Sequence, residues 1–119
     1  MGWFALSSDT TGPGNTAIGY NTLAANTTGD GNTALGYNAG GGVVTADNVV
    51  CIGAGVGGAD VSSTTWIANV YGVTTLNGST APVIVSADGQ LGTGVSSERF
   101  KKDIATMEKA SEAILSLRP

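Results

Sequence analysis

The stretch GNTAIGYN at residues 14–21 recurs as GNTALGYN at residues 31–38, with Leu35 in the place of Ile18. A degenerate third copy follows at the same 17-residue offset, where VCIG at residues 50–53 corresponds to TALG at residues 33–36. A short fixed period means that one structural unit is used repeatedly. The sequence therefore predicts a β-solenoid, a class of fold that more often scaffolds or binds than catalyses.

Alternation within the repeat predicts how its side chains point. In a strand over the first copy, Thr16, Ile18 and Tyr20 share one face, and the residues between them share the other. We expect Ile18, Leu35 and Ile52 to stack as an inward apolar ladder. The residues Thr22–Ala25 predict a second short strand, and the glycine-rich stretch 26–31 predicts a turn.

The predicted fold is mainly β and has four parts. Residues 1–13 form a turn-rich N-terminal segment, and residues 14–72 form a short parallel β-roll with 17-residue rungs that ends in a capping strand at Trp66–Val73. Residues 73–95 form a β-hairpin or neck, because Asp88-Gly89 stands between apolar flanks. In residues 96–119 the apolar residues recur at helical spacing, which predicts a C-terminal α-helix; these residues are Ile104, Met107, Ile114 and Leu115.

The size of the array predicts self-association. A column of three rungs of small side chains buries little apolar area and leaves its ends and one flank open. A ring of three is a natural closed arrangement for a fibre, so we expect a homotrimer.

Charge is divided between the two ends of the chain. Residues 1–97 contain five aspartates and no lysine or arginine, whereas residues 98–119 contain five cations and four acids. The acidic segment has no basic patch to neutralise phosphates, so we expect no nucleic-acid partner. No apolar run approaches the ~20 residues that span a bilayer, so we expect no membrane insertion. The boundary at Ser96–Glu98 separates two parts of different character.

The motifs that could hold a ligand are weak. Cys51 is the only cysteine and replaces Ala17 and Ala34 of the repeat, which predicts a small packed side chain and no internal disulfide. Gly29-Asp30-Gly31-Asn32 is similar to part of a calcium-binding repeat, but it offers too few oxygen ligands. The glycines of residues 53–58 lack the following helix of a dinucleotide loop. We therefore predict no metal and no cofactor.

The segments NTAIG (15–19), NTALG (32–36) and VVCIG (49–53) resemble the head repeats of YadA-like trimeric autotransporter adhesins. The resemblance covers residues 14–58, and the 17-residue spacing is longer than that family commonly uses. It implies left-handed parallel β-rolls wound as trimers, in which the residue pairs Thr16/Ile18, Thr33/Leu35 and Val50/Ile52 face the interior. It also implies a location outside the cell, at the cell surface or on a virion.

Residues 96–119, from SSERFKKDI to AILSLRP, resemble the opening of the endosialidase-type intramolecular chaperone. That domain ends many phage tail spikes, tail fibres and related surface proteins, assists trimer folding and then cuts itself off. The resemblance implies that Ser96 is the nucleophile and Lys101 the base of a latent autocleavage. Ser97 replaces the aspartate of the family motif, which leaves the scissile bond open.

Three functions are compatible with these patterns. The first is a structural and adhesive segment of a trimeric fibre, with a host-surface, glycan or matrix receptor and the junction to a self-cleaving chaperone. The alternative is a serine–lysine autopeptidase unit that acts only on its own chain. A trimerisation module without a ligand is a third possibility.

Overall fold

The computed structural model describes residues 2–94 and Ile114, and the chain divides into two units, Met1–Thr74 and Thr75–Pro119. Residues 2–94 are mainly β and contain six three-residue strands: β1 (Thr16–Ile18), β2 (Thr33–Leu35), β3 (Val50–Ile52), β4 (Thr65–Ile67), β5 (Val83–Val85) and β6 (Leu91–Thr93). Apart from Ile114, the helix predicted between Ile104 and Leu117 lies outside the described residues and stays a prediction.

Strands β1 to β4 form one sheet in chain order, and each neighbouring pair is parallel. Thr16 pairs with Thr33, Thr33 with Val50, and Val50 with Thr65, so the offset is 17 residues for two steps and 15 for the last. Four successive segments therefore end in equivalent strands. We call them repeat 1 (residues 2–18), repeat 2 (19–35), repeat 3 (36–52) and repeat 4 (53–67).

Residues 2–13, expected to be a turn-rich N-terminal segment, are turn-rich and also follow the repeat. Their backbone bonds to repeat 2 match those between repeats 2 and 3. Asn21 N donates to Trp3 O at 2.8 Å, and Leu6 N donates to Thr22 O at 3.0 Å. In the next step, Asn38 N donates to Tyr20 O at 3.0 Å, and Leu23 N donates to Ala39 O at 2.9 Å. The regular pattern thus begins before the first clear sequence copy.

Each repeat has one strand, and the second strand predicted at Thr22–Ala25 is wrong. This stretch is a turn in which Leu23 has a left-handed φ of 50° and Asn26 N donates to Leu23 O at 3.1 Å. The turn directs Leu23 into the interior, where it is buried. The stretch therefore supplies a core side chain rather than a further layer of sheet.

Glycine begins each repeat because the chain stacks closely on itself there. Gly19 and Gly36 have φ of 129° and 124°, a region that disfavours other residues. A Cβ on Gly19 would lie 2.8 Å from the carbonyl carbon of Gly36, and a Cβ on Gly36 would lie 2.8 Å from that of Gly53. The glycine column therefore sets the approach of successive repeats.

The middle residues of β1, β2 and β3 face the core, which corrects the predicted orientation of the ladder, whereas Trp66 in the middle of β4 is exposed. Ala17, Ala34 and Cys51 are buried, whereas Ile18, Leu35 and Ile52 are exposed by 51, 46 and 38 %. The interior is narrow and is filled by larger side chains from the turns; these are Leu23, Val43 and Val49. Only a small side chain fits opposite them, so the isoleucines and leucine lie outside.

Asparagine side chains link the repeats inside the core. Asn32 is fully buried; its Nδ2 donates to Ala46 O at 2.8 Å and to Asn26 Oδ1 at 3.2 Å, and its Oδ1 accepts from Val49 N at 2.8 Å. Asn15 occupies the equivalent place one repeat earlier, and its Oδ1 accepts from Asn32 N at 2.8 Å. These amides satisfy backbone groups in turns that have no ladder partner.

The second unit contains a hairpin in which β5 and β6 pair antiparallel, as Asp88-Gly89 predicts. Ser86 N donates to Gln90 O at 2.9 Å, and Gly89 has φ of 90° in the turn. The Ser86 hydroxyl donates to Asp88 Oδ1, and this contact together with Asp88's own backbone N–H holds the pKa of Asp88 below its usual value. Val83 and Val85 oppose Thr93 and Leu91.

Candidate assembly surface

The outward residues of β1–β4 form two columns that we call the outer ladder: Thr16, Thr33, Val50 and Thr65 in one, and Ile18, Leu35, Ile52 and Ile67 in the other. The second column is apolar throughout, and its members are 38–51 % exposed. Equivalent side chains stand one strand spacing apart, about 4.8 Å. The ladder is therefore an exposed, regular and uncharged face of the sheet.

A column of aromatic side chains follows the ladder in the first three repeats. Trp3 stacks on Phe4 at a centroid distance of 5.7 Å, Phe4 meets Tyr20 edge-on at 5.8 Å, and Tyr20 stacks on Tyr37 at 5.5 Å. All four rings are more than 40 % exposed. The 17-residue period explains the stack of Tyr20 on Tyr37, whereas in repeat 1 the ring that meets Tyr20 is Phe4, the neighbour of the equivalent residue Trp3. The rings add rigid apolar surface, and they belong to residues that are close in sequence to those of the outer ladder.

The acidic side chains of repeats 1–4 lie in turns rather than in strands. Asp47 Oδ1 accepts from Asp30 N at 2.8 Å across one repeat, and Asp9 Oδ1 accepts from Gly12 N at 3.1 Å. The carboxylates of Asp9 and Asp47 therefore each accept a backbone N–H and stabilise a turn. Charge and apolar surface are thus separated within each repeat.

Asp60 shows the strongest carboxylate contacts of this kind. Its Oδ1 accepts from the backbone nitrogens of Val44, Thr45 and Ala46 at 2.8–2.9 Å, and its Oδ2 accepts from Thr45 Oγ1 at 3.0 Å. These donors favour the ionised form and lower the pKa of Asp60 to about 2. The carboxylate closes the turn of repeat 3 from repeat 4, so its role is structural.

The predicted catalytic pair cannot be placed, because Ser96 and Lys101 both lie outside the described residues. Among residues 2–94 and Ile114, no three His, Cys, Asp or Glu side chains group closely enough to hold a metal ion. Cys51 is a buried free thiol; burial raises its pKa, and a hydrogen bond with the backbone of Gly40 offsets part of this rise. A buried thiol with a raised pKa is a packing group rather than a nucleophile.

Two features of the surface carry a sequence signal that the repeat alignment alone did not use. The pair Gly2-Trp3, which stands 17 residues before Gly19-Tyr20, indicates the aromatic column. Side-chain size indicates the outward direction of the ladder, because the middle strand residues Ala17, Ala34 and Cys51 are smaller than their neighbours. In the part of the chain that the structure describes, no helix is long and apolar enough to cross a membrane.

The chain was compared with protein-family models, curated proteins and solved structures, and none of them matches it.

Proposed function

We propose that this chain is a structural and adhesive segment of a homotrimeric fibre outside the cell, on a cell surface or a virion. Residues 2–67 form a short β-roll in each copy, and the outer ladder packs against neighbouring copies. The observation that carries the proposal is the outward column of Ile18, Leu35, Ile52 and Ile67, which is apolar in all four repeats and exposed in the single chain.

The small interior supports association. Five of the eight buried apolar residues of repeats 1–3 are alanine or cysteine, so the core of one chain is thin; the larger members are Leu23, Val43 and Val49. Burial of apolar surface contributes about 25 cal/mol per Å². The largest side chains of the strands contribute little of this free energy while they face solvent. Contact between copies would bury them and gain that contribution.

Charge supports the same surface. Copies of an acidic chain repel each other where their carboxylates meet. Asp9, Asp30, Asp47 and Asp60 lie in turns, whereas no charged residue belongs to the outer ladder. Contact through the ladder is therefore the arrangement that brings apolar surface together without placing like charges opposite each other.

The hairpin supplies a second contact. Val83, Ile84, Val85 and Leu91 are 53–70 % exposed, so neither face of this two-stranded sheet is covered within the described residues. A hairpin of two strands is marginally stable by itself in water and needs further strands or packing. In the proposed fibre, hairpins of neighbouring copies pack on each other as a neck.

The number three and the extracellular location rest on the resemblance to YadA-like heads. A closed ring of identical contacts keeps the acidic turns on the outside. These turns, including those of Asp30 and Asp47, are the surface that a host-surface, glycan or matrix receptor would meet. A trimerisation module without a ligand shares the same assembly and differs only in lacking this receptor.

The test compares two charge insertions. Leu35→Asp places a carboxylate in the outer ladder, and Thr28→Asp places one in an exposed turn where Thr28 makes no side-chain hydrogen bond. Sedimentation velocity should show that Leu35→Asp lowers the sedimenting mass toward the monomer while Thr28→Asp leaves it unchanged. Equal circular dichroism spectra would show that both variants fold. If Leu35→Asp associates like the parent chain, the ladder is not the interface.

We also propose that Ser96 and Lys101 belong to the junction with a self-cleaving chaperone, a proposal supported by the motif at residues 96–104 alone. A lysine amine in a desolvated site can take the proton of a serine hydroxyl, which then attacks a peptide carbonyl of its own chain. A chain extended through a complete chaperone should split near Ser96. Ser96→Ala and Lys101→Ala should each stop the split, and an unchanged band pattern would disprove the assignment.

A further inference from the structure

Asn77 differs from the other asparagines of this chain in its sequence and in its surroundings. It is the only one of eight that precedes glycine; the other seven precede threonine, alanine or valine. It lies in a bend outside any strand, and both Asn77 and Gly78 are exposed. The residue that follows an asparagine determines whether its own backbone nitrogen can approach the asparagine side chain, and glycine hinders this approach least.

The side chain of Asn77 is already turned toward the following backbone. Ser79 N donates to Asn77 Oδ1 at 2.9 Å, which is the contact of an Asx turn. This contact folds the side-chain amide back over the Gly78 peptide and polarises its carbonyl. Thr75 Oγ1 donates to the backbone O of Asn77 at 2.9 Å and holds the same bend from the other side.

Five asparagines of the repeats make side-chain hydrogen bonds to other parts of the repeats; these are Asn15, Asn21, Asn26, Asn32 and Asn38. Asn32 and Asn26 are fully buried; the Asn32 amide donates to Ala46 O in the next repeat, and the Asn26 amide donates to Gly29 O within its own turn. Asn21 Nδ2 donates to Asn38 Oδ1 at 2.6 Å across one period. These side chains are therefore held by contacts within or between repeats, and water reaches the buried ones poorly.

From this contrast we infer that Asn77 is a site of spontaneous covalent modification by intramolecular deamidation. The Gly78 nitrogen attacks Asn77 Cγ and forms a five-membered succinimide, and the Cγ–Nδ2 bond breaks. The amide leaves as ammonia, which carries away the proton lost by the Gly78 nitrogen. Water then opens one of the two ring carbonyls to give aspartate or isoaspartate. The reaction needs no enzyme, metal or oxidant.

The product changes the charge of the second unit. Among residues 75–94, Asp88 is the only charged side chain, so modification adds a second carboxylate there. Opening to isoaspartate also inserts a methylene group into the main chain at the bend. The inference does not depend on the proposed function. In a fibre with a long life outside the cell, the fraction of modified Asn77 would increase with the age of the chain.

Peptide mapping by mass spectrometry tests the inference on the full chain incubated at mildly alkaline pH. The peptide containing Asn77 should gain one dalton with time, should accept methyl groups from an isoaspartate methyltransferase, and should change faster than peptides containing the other asparagines. Asn77→Gln should abolish the change, because its ring would have six members. If Asn21 or Asn38 deamidates as fast as Asn77, the inference is wrong.

Gly78→Ala is the matched variant. A Cβ at Gly78 would meet nothing within 4 Å, and its φ lies outside the left-handed range, so alanine fits without disturbing the fold. The added Cβ nevertheless hinders the approach of the nitrogen to Cγ, and the rate should fall several-fold. An unchanged rate in Gly78→Ala would exclude attack by this nitrogen.

Discussion

Removing the Asn32 side chain should destabilise the repeats more than any exposed substitution. Asn32→Ala leaves three buried groups without partners: the Val49 N–H, the Ala46 carbonyl and Asn26 Oδ1. Val49, Ala46 and Asn26 are all at most 5 % exposed, so water cannot replace the lost bonds. Each orphaned buried group costs about 1–3 kcal/mol, and their shared environment suggests a total of about 3–6 kcal/mol. That loss is comparable with the whole stability of a small domain, about 5–15 kcal/mol.

Asn15→Ala is the control for this prediction, because Asn15 makes two of the three bonds of Asn32 one period earlier and a third bond to a backbone carbonyl. Its Nδ2 donates to Gly29 O at 2.8 Å and to Gly12 O at 3.1 Å, and its Oδ1 accepts from Asn32 N at 2.8 Å. Asn15 is only half-buried, so water can satisfy part of what is lost. We expect a loss of about 1–2 kcal/mol.

Denaturant unfolding at one fixed protein concentration measures both losses, followed by the fluorescence of Trp3 and Trp66. Fixed concentration matters because association contributes to the apparent stability of a chain that assembles. The midpoints should fall in the order parent chain, Asn15→Ala, Asn32→Ala, with similar slopes. If Asn32→Ala costs no more than Asn15→Ala, burial of the amide network does not stabilise the repeats and the reasoning fails.

Three further predictions concern single positions in the repeats. Gly36→Ala should lower stability by at least about 2 kcal/mol more than Gly55→Ala in the same unfolding assay. Both glycines have a positive φ, but only the Cβ added at Gly36 would clash with the backbone of the next repeat. Equal losses would disprove the close stacking. The pKa of Asp60 is lowered to about 2, so the stability that its ionised form contributes is complete above the usual aspartate pKa and is lost as pH falls toward 2. Asp60→Asn should therefore flatten the dependence of the thermal midpoint on pH between 5 and 2. An unchanged slope would contradict this. Cys51 should resist iodoacetamide in the native chain and react fully in denaturant, since burial raises the pKa of its thiol; rapid native alkylation would show that the core is open.

The period of the sequence was enough to predict which strands pair and in what order. GNTAIGYN and GNTALGYN place Thr16 beside Thr33, and the degenerate third copy places Val50 beside Thr33, as the structure has them. Identical residues at a fixed offset can only be equivalent if their backbones follow the same path. The parallel register of the first three strands is therefore a direct consequence of the repeat.

The face that each strand buries was predicted wrongly, for a reason that alternation cannot reveal. Period two separates Ala17 from Ile18, but it does not say which one faces inward. Hydrophobicity alone favours Ile18 as the core residue. The inner space is instead filled by Leu23 from a turn predicted to be a strand, and the inner strand positions hold only the small residues alanine and cysteine. The wrong choice of face and the wrong second strand are thus one error.

The ends of the repeat array were harder to recognise because their side chains have diverged. Repeat 1 shares Gly2, Leu6 and the TTG triplet at 10–12 with repeat 2, but Trp3-Phe4 replaces Tyr20-Asn21. Repeat 4 is two residues shorter and carries Trp66 where alanine or cysteine stands before it. The backbone hydrogen bonds between repeats are kept where the sequence of the repeat is not.

The assignment of Ser96 and Lys101 remains a matter of sequence resemblance, whereas the assembly surface rests on geometry. The outer ladder combines exposed apolar side chains, regular spacing and an absence of charge at the same strand positions. Its assignment as an interface makes a claim about mass that does not depend on any receptor.

Multi-angle light scattering across a wide range of protein concentrations tests that claim most directly. The chain has a mass of 11.7 kDa, and a homotrimer predicts a single species with about three times that mass. It also predicts that this mass persists at the lowest concentration that can be measured in moderate salt. A constant mass of 11.7 kDa at every concentration would show that the chain is a monomer and that the outer ladder is not an interface.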